Sequence, residues 1–239
     1  MRGSEVTAEV LRCLQVHAEP GFVARQQAYS KDAFKSLGLR TAHTHQVAKE
    51  TYFLVKPLAA EDLLAECDAL WEAGYWEMAL VAIDWCWHHR KQLGTGHWPH
   101  LRGWLEGHVH TWQGCDHLCG TILGEILRNN PSLLAELPAW AASENKWMRR
   151  GAAVVMIPSF RKSAAFLPVL LQIATSLLAD TDDMVQKGYG WALKEACKHA
   201  EQVVFEFVMQ HKAHMPRTAL RYAIENMPQE LKALAMAKN

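Results

Sequence analysis

The sequence predicts an all-α fold, a solenoid of stacked helix pairs, and three observations predict it. Apolar residues recur at spacings of three and four almost throughout, as in Leu63, Leu64, Cys67, Leu70 and Trp71, or Phe166, Val169, Leu170, Ile173 and Leu177. That is the period of a helix burying one face. No stretch alternates as a half-buried strand would. Helix breakers return at short intervals, which cuts the chain into roughly a dozen helices of about 12 to 18 residues, a usual globular length.

Taken in order, the breaks fall at Glu19-Pro20-Gly21, Lys56-Pro57, Leu93 to Pro99, Asn129-Asn130-Pro131, Ala142-Ser143, Pro158-Ser159, Asp180 to Asp183 and Met215-Pro216. Thr41, Thr111, Ser132, Ser143 and either Thr181 or Asp182 are candidate N-caps, whose side-chain oxygens would accept from the first free backbone N–H groups. Consecutive antiparallel helices suit either a closed bundle or a stacked solenoid. Helix pairs recur at intervals comparable to HEAT or armadillo repeats, which favours the superhelical solenoid and its concave face. No long linker or low-complexity tract divides the chain, so residues 1–239 read as one repeat domain.

Half the residues are apolar and 21% are charged, the balance of a globular chain. Glu5, Glu9, Arg12 and Glu19 interrupt the first twenty residues, so no secretory apolar segment opens the chain. The longest apolar stretch, Ser163 to Ala179, contains Pro168, Gln172, Thr175 and Ser176 and is too polar for a membrane span. Six irregularly spaced cysteines then read as reduced thiols, mostly small core residues, which implies a cytoplasmic protein. The net charge is zero, but it is unevenly spread: from Lys146 onward 13 Lys/Arg face 8 Asp/Glu, a balance of +5, and the first 145 residues hold 12 against 17, a balance of −5. The C-terminal part is the half suited to an anionic partner.

Three local clusters carry chemistry-bearing residues. Beyond the Thr111 cap, on a helix running through Leu127, Trp112 and Asp116 are four apart and stack an indole above a carboxylate. The same spacing also fits a core tryptophan with a carboxylate at its edge. In Ser143-Glu144-Asn145-Lys146-Trp147-Met148-Arg149-Arg150, two arginines follow closely on a cap where the helix dipole prefers carboxylates. Such a local conflict marks function, or else a solvated arginine pair beside a core Trp147. Lys187, Trp191, Lys194 and Lys198 step by four, three and four, a basic stripe with an interleaved aromatic. That composition suits a phosphate-and-sugar surface, and equally a solvated lysine face with a half-buried indole. Gly188 and Gly190 cost this helix about 1 kcal/mol each, which implies a close approach to its backbone.

His108, His110, Cys115, His117 and Cys119 fall within twelve residues. Cys115 and Cys119 share a helix face while His117 points roughly opposite, and no paired CxxC knuckle is present, so no metal is expected. No phosphate-cradling Gly-rich loop, GxSxG elbow or HExxH motif occurs, and no cofactor is expected.

In this order and spacing the clusters resemble the AlkD-like DNA alkylation repair glycosylases, a family built from HEAT-like repeats. The resemblance spans nearly the whole chain. It opens with Tyr29 and Phe34-Lys35-Ser36-Leu37-Gly38-Leu39, continues through Trp112/Asp116 and the Ser143 to Arg150 run, and ends with Gln186-Lys187-Gly188-Tyr189-Gly190-Trp191-Ala192-Leu193-Lys194-Glu195. It implies that Asp116 is the catalytic carboxylate, that Trp112 and Trp191 flank the lesion's deoxyribose, that Arg150 holds the DNA backbone, and that Tyr29 belongs to the same cleft. Arg149, Trp147 and the three lysines would join the DNA-binding set. The implied activity is base excision repair, the release of cationic N3- or N7-alkylated purines from double-stranded DNA by a monomeric, monofunctional glycosylase that does not flip the base.

Elementary chemistry makes these residue types sensible for that reaction. An alkylated cationic purine is already a good leaving group, and what needs stabilising is positive charge spreading onto the sugar. A carboxylate about 4 Å from that charge, at an effective dielectric near 20, contributes on the order of 4 kcal/mol, roughly a thousandfold in rate. Each indole face adds about 0.5 to 2 kcal/mol of cation–π attraction. The alternatives are a non-catalytic HEAT-like module binding nucleic acid or a protein, and a zinc hydrolase.

Overall fold

A computed structural model of the chain describes residues 3–28 and 32–237. The chain forms two compact units, Met1–Ile122 and Leu123–Asn239. Both are helical, as predicted, and among the described residues the only strand-like pairing is an isolated bridge between Lys35 and Tyr75.

The first unit contains α1 (Gly3–Gln15), α2 (Pro20–Ala28), α3 (Thr41–Thr51), α4 (Ala60–Glu72), α5 (Trp76–His89), α6 (Trp98–Gly107) and α7 (Trp112–Leu118). α3 packs on α5 and α5 on α7, so these three form a row, while α4 backs α5, α6 backs α7, and α1 packs on α3 and α4. α5 is buried along nearly its whole length, from Glu77 through Ile83 and again at Trp85 and Cys86. A helix apolar on all sides belongs at the centre of a unit.

Within that apolar helix sits one fully buried carboxylate, Glu77. Its oxygens accept from Ser36 Oγ at 2.6 Å and from the backbone N–H groups of Leu37, Gly38 and Leu39 at 2.9, 3.1 and 3.2 Å. A single acidic side chain thus replaces a strand partner for the 36–39 turn, satisfying donors that burial would otherwise orphan. Gly38 turns there with φ +84°, and a Cβ at this position would lie 2.6 Å from the Glu19 carbonyl oxygen.

The second unit contains α8 (Gly124–Asn129), α9 (Leu137–Ala141), α10 (Lys146–Val154), α11 (Ile157–Phe160), α12 (Leu167–Ser176), α13 (Asp183–His211), α14 (Arg217–Ala223) and α15 (Gln229–Met236). Helix lengths scatter more widely than the sequence predicts. Prolines near the starts of α9, α11 and α12 open short helices rather than ending long ones. α13 instead runs for 29 residues, with non-helical angles at Ala200. It starts as expected: Asp182 accepts from the backbone N–H groups of Met184 and Val185.

The two glycines of α13 do mark close approaches, and the approaching groups belong to the protein. A Cβ at Gly188 would lie 2.9 Å from Arg150 Cγ, and one at Gly190 would lie 2.8 Å from the Ala219 carbonyl oxygen on α14. Gly190→Ala is therefore expected to destabilise the fold by about 1 to 3 kcal/mol, backbone overpacking outweighing the gain in helix propensity. Gly103→Ala, where a Cβ meets nothing within 4 Å on α6, is expected to stabilise it by up to about 1 kcal/mol. Urea denaturation of the two variants checks the contrast.

Candidate functional site

α7 is the best-defined of the expected elements. Thr111 Oγ1 accepts from the Gly114 N–H at 3.2 Å, the N-cap the sequence predicts. The helix then runs to Leu118 and continues through a π-helical turn, Cys119–Leu123, into α8, where an uninterrupted α-helix to Leu127 was expected. Gly114, Cys115 and Leu118 face inward. Trp112, Asp116 and His117 form the outer face, with Trp112 36% exposed and Asp116 partly exposed. The indole is therefore not a core residue, and the carboxylate lies one turn along the same open face. Cys115 and Cys119 are fully buried thiols.

Beside this face the row of helices brings together residues that lie far apart in sequence. His45 of α3 places Nδ1 2.5 Å from Asp84 Oδ2 of α5. The His117 ring lies 5.9 Å from that of His45 and 5.6 Å from that of Trp76. The hydrogen bond to Asp84 raises the His45 pKa above its usual value, against a smaller opposing effect of burial. Burial lowers that of His117, with the His45 charge acting in the same direction. Next to the Thr111 cap opens a cavity of about 660 Å³, walled by Phe34, Trp71, Tyr75, Trp76, His108 and His110 among others. From the sequence, His108, His110 and His117 were weighed only as metal ligands and Phe34 only as part of the family resemblance; His45, Trp71, Tyr75, Trp76 and Asp84 were not singled out as site residues.

In the second unit, the expectations need correction at several residues. Trp147 is only 4% exposed and belongs to the core, so its ring is not available to DNA. Ser143 does not cap α10; Asn145 does, accepting from the Trp147 N–H at 2.8 Å, while Ser143 Oγ accepts from the Asn145 N–H. Arg149 is occupied internally, donating to Asp180 at 2.6 Å and to the carbonyls of Ser143 and Glu144. Arg150 is 5% exposed, lies over Gly188 and donates to the Met184 carbonyl oxygen. It braces α10 against α13 rather than standing in solvent.

The basic stripe on α13 is a stripe of ion pairs. Lys187 meets Asp183 at 3.2 Å, Lys194 meets Glu225 at 3.1 Å and Lys198 meets Glu195 at 2.6 Å. The lysines of the expected phosphate-binding stripe are thus locally neutralised, although surface pairs of this kind are worth only about 0 to 1 kcal/mol. Trp191 remains partly exposed, with Nε1 donating to Glu195 at 3.4 Å. Tyr29 lies outside the described residues.

A family described as DNA alkylation repair enzyme matches residues 10–227. Among solved structures, a predicted DNA alkylation repair enzyme from Enterococcus faecalis is similar with a TM-score of 0.75 at 20% identity, covering 89% of this chain and 98% of that one, so the two share a fold. No curated protein matches the sequence significantly. With nearly its whole length inside the family match, and with the indole and carboxylate of α7 on an open face, this chain belongs to the DNA alkylation repair enzyme family.

Proposed function

We propose that the chain is a monofunctional DNA glycosylase that hydrolyses the N-glycosidic bond of cationic N3- or N7-alkylated purines in duplex DNA, without flipping the base. The reading is carried by one observation: Trp112 and Asp116 lie one turn apart on the outer face of a capped helix, neither in a core. Asp116 stabilises the cationic sugar as the bond breaks and orients the attacking water. Trp112 offers an indole face to the substrate, the role that the family resemblance also gives Trp191. Arg150 acts through α13, whose first turn it holds. Residues 1–239 act as one HEAT-like repeat domain, active as a monomer.

The lysines of α13 reach phosphates by exchanging their carboxylate partners, which limits DNA binding to a few phosphate contacts and a shallow salt dependence. The test is incubation with methylated duplex followed by separation of free bases from DNA. Free alkylpurine is expected, with the abasic strand left intact because no amine nucleophile is required. Binding without release would instead favour a non-catalytic module.

A further inference from the structure

The reaction proposed above needs no proton donor, because the leaving purine already carries its positive charge. The face beside Asp116 nevertheless holds one. His45 is fixed through Nδ1 by Asp84, its side chain is 43% exposed, and no hydrogen bond to Nε2 occurs among the described residues. A carboxylate on one nitrogen of an imidazole stabilises the protonated ring and aims the other nitrogen outward. His117, next to Asp116 in the chain, sits against this ring and favours the neutral form. Two titratable groups in contact whose surroundings push them apart in this way divide the roles of acid and base.

Resting on the glycosylase reading, we infer that His45, oriented by Asp84, is a proton donor to the departing base and extends excision to neutral N-glycosides in DNA. Such bases leave as anions unless they are protonated. The Nε2 proton passes to a ring nitrogen of the purine as the electron pair of the bond to C1′ departs with the base. Water then bonds through oxygen to C1′, and its released proton restores Nε2, so one water is consumed for each base freed. Trp76, whose ring lies 5.6 Å from that of His117, also walls the neighbouring cavity of about 660 Å³, which can receive the planar base once the bond to C1′ has broken.

Asp84 of α5 and His117 of α7 are the titratable groups facing His45 from the helices beside it, with Lys49 one turn along α3. On α1 the Glu9 and Arg12 charges are engaged with each other. Because His45 holds its proton to higher pH than an ordinary histidine, donation extends further up in pH than an ordinary histidine allows and fails as pH rises past that raised value. Single-turnover release from duplexes carrying hypoxanthine, a neutral base, and 7-methylguanine, a cationic one, tests this between pH 6 and 9. Wild type is expected to release both, with hypoxanthine release falling at least tenfold across that range and 7-methylguanine release falling far less. His45→Gln is expected to lower the ratio of hypoxanthine to 7-methylguanine release at least tenfold, and Asp84→Asn to move the fall to lower pH. Release of 7-methylguanine without hypoxanthine, or equal loss of both in His45→Gln, overturns the inference while the glycosylase reading stands. Release of neither base overturns that reading, and the inference with it.

Discussion

Asp116→Asn is expected to slow single-turnover release of 7-methylguanine by about a thousandfold, with thermal unfolding essentially unchanged. The magnitude follows from one charge about 4 Å from the cationic sugar in a partly screened setting, on the order of 4 kcal/mol. Fold stability is spared because Asp116 lies on the outer face of α7, whose packing is supplied by Gly114, Cys115 and Leu118. Trp112→Leu keeps apolar bulk but removes the π face, and its smaller expected cost, about 0.5 to 2 kcal/mol, separates cation–π attraction from the carboxylate. Equal rates for wild type and Asp116→Asn would remove the carboxylate from the mechanism.

The largest expected effect on stability lies at Glu77. Glu77→Ala leaves the Leu37 and Leu39 N–H groups without an acceptor, while the Gly38 N–H keeps Ser36 Oγ and the Ser36 hydroxyl keeps Gln26 Oε1. Each of these two orphaned groups costs about 1 to 3 kcal/mol, and relaxation recovers part of the total, so a loss of about 2 to 4 kcal/mol is expected in chemical denaturation. Loosening the 36–39 turn also unsettles neighbouring Phe34 and Lys35, which line the cavity next to the Thr111 cap.

Some features set by neighbouring residues were legible in the sequence, though the equally local candidates Thr41, Ser132 and Ser143 cap no helix, and features set across helices were not legible. The Thr111 and Asp182 caps follow from side chains reaching two or three residues along the chain. Trp112 and Trp147 give the same local signal, an aromatic just past a cap, yet one is exposed and the other is core, because burial depends on which helix lies opposite. The glycines of α13 were correctly read as points of close approach, but only the fold shows that Arg150 and α14 are what approaches. Glu225, which pairs with Lys194, comes from a later helix and gave no local signal, whereas Asp183 and Glu195 pair with Lys187 and Lys198 one turn away and were readable from spacing. His45, Asp84 and His117 sit on three different helices, and no spacing connects them. Glu77 left one trace, a lone acidic residue opening an otherwise apolar run, and nothing local pointed to the turn it holds.

The central claim is that a carboxylate and an indole on α7 stabilise a sugar that becomes cationic. Its most direct test compares binding of a duplex containing a pyrrolidine abasic site, a stable cationic mimic of that sugar, with binding of the neutral tetrahydrofuran analogue. Wild type should prefer the cationic duplex by at least about tenfold, and Asp116→Asn should lose that preference, since a tenfold ratio corresponds to about 1.4 kcal/mol of charge recognition. Equal affinity of wild type for both duplexes, or a preference retained in Asp116→Asn, would contradict it.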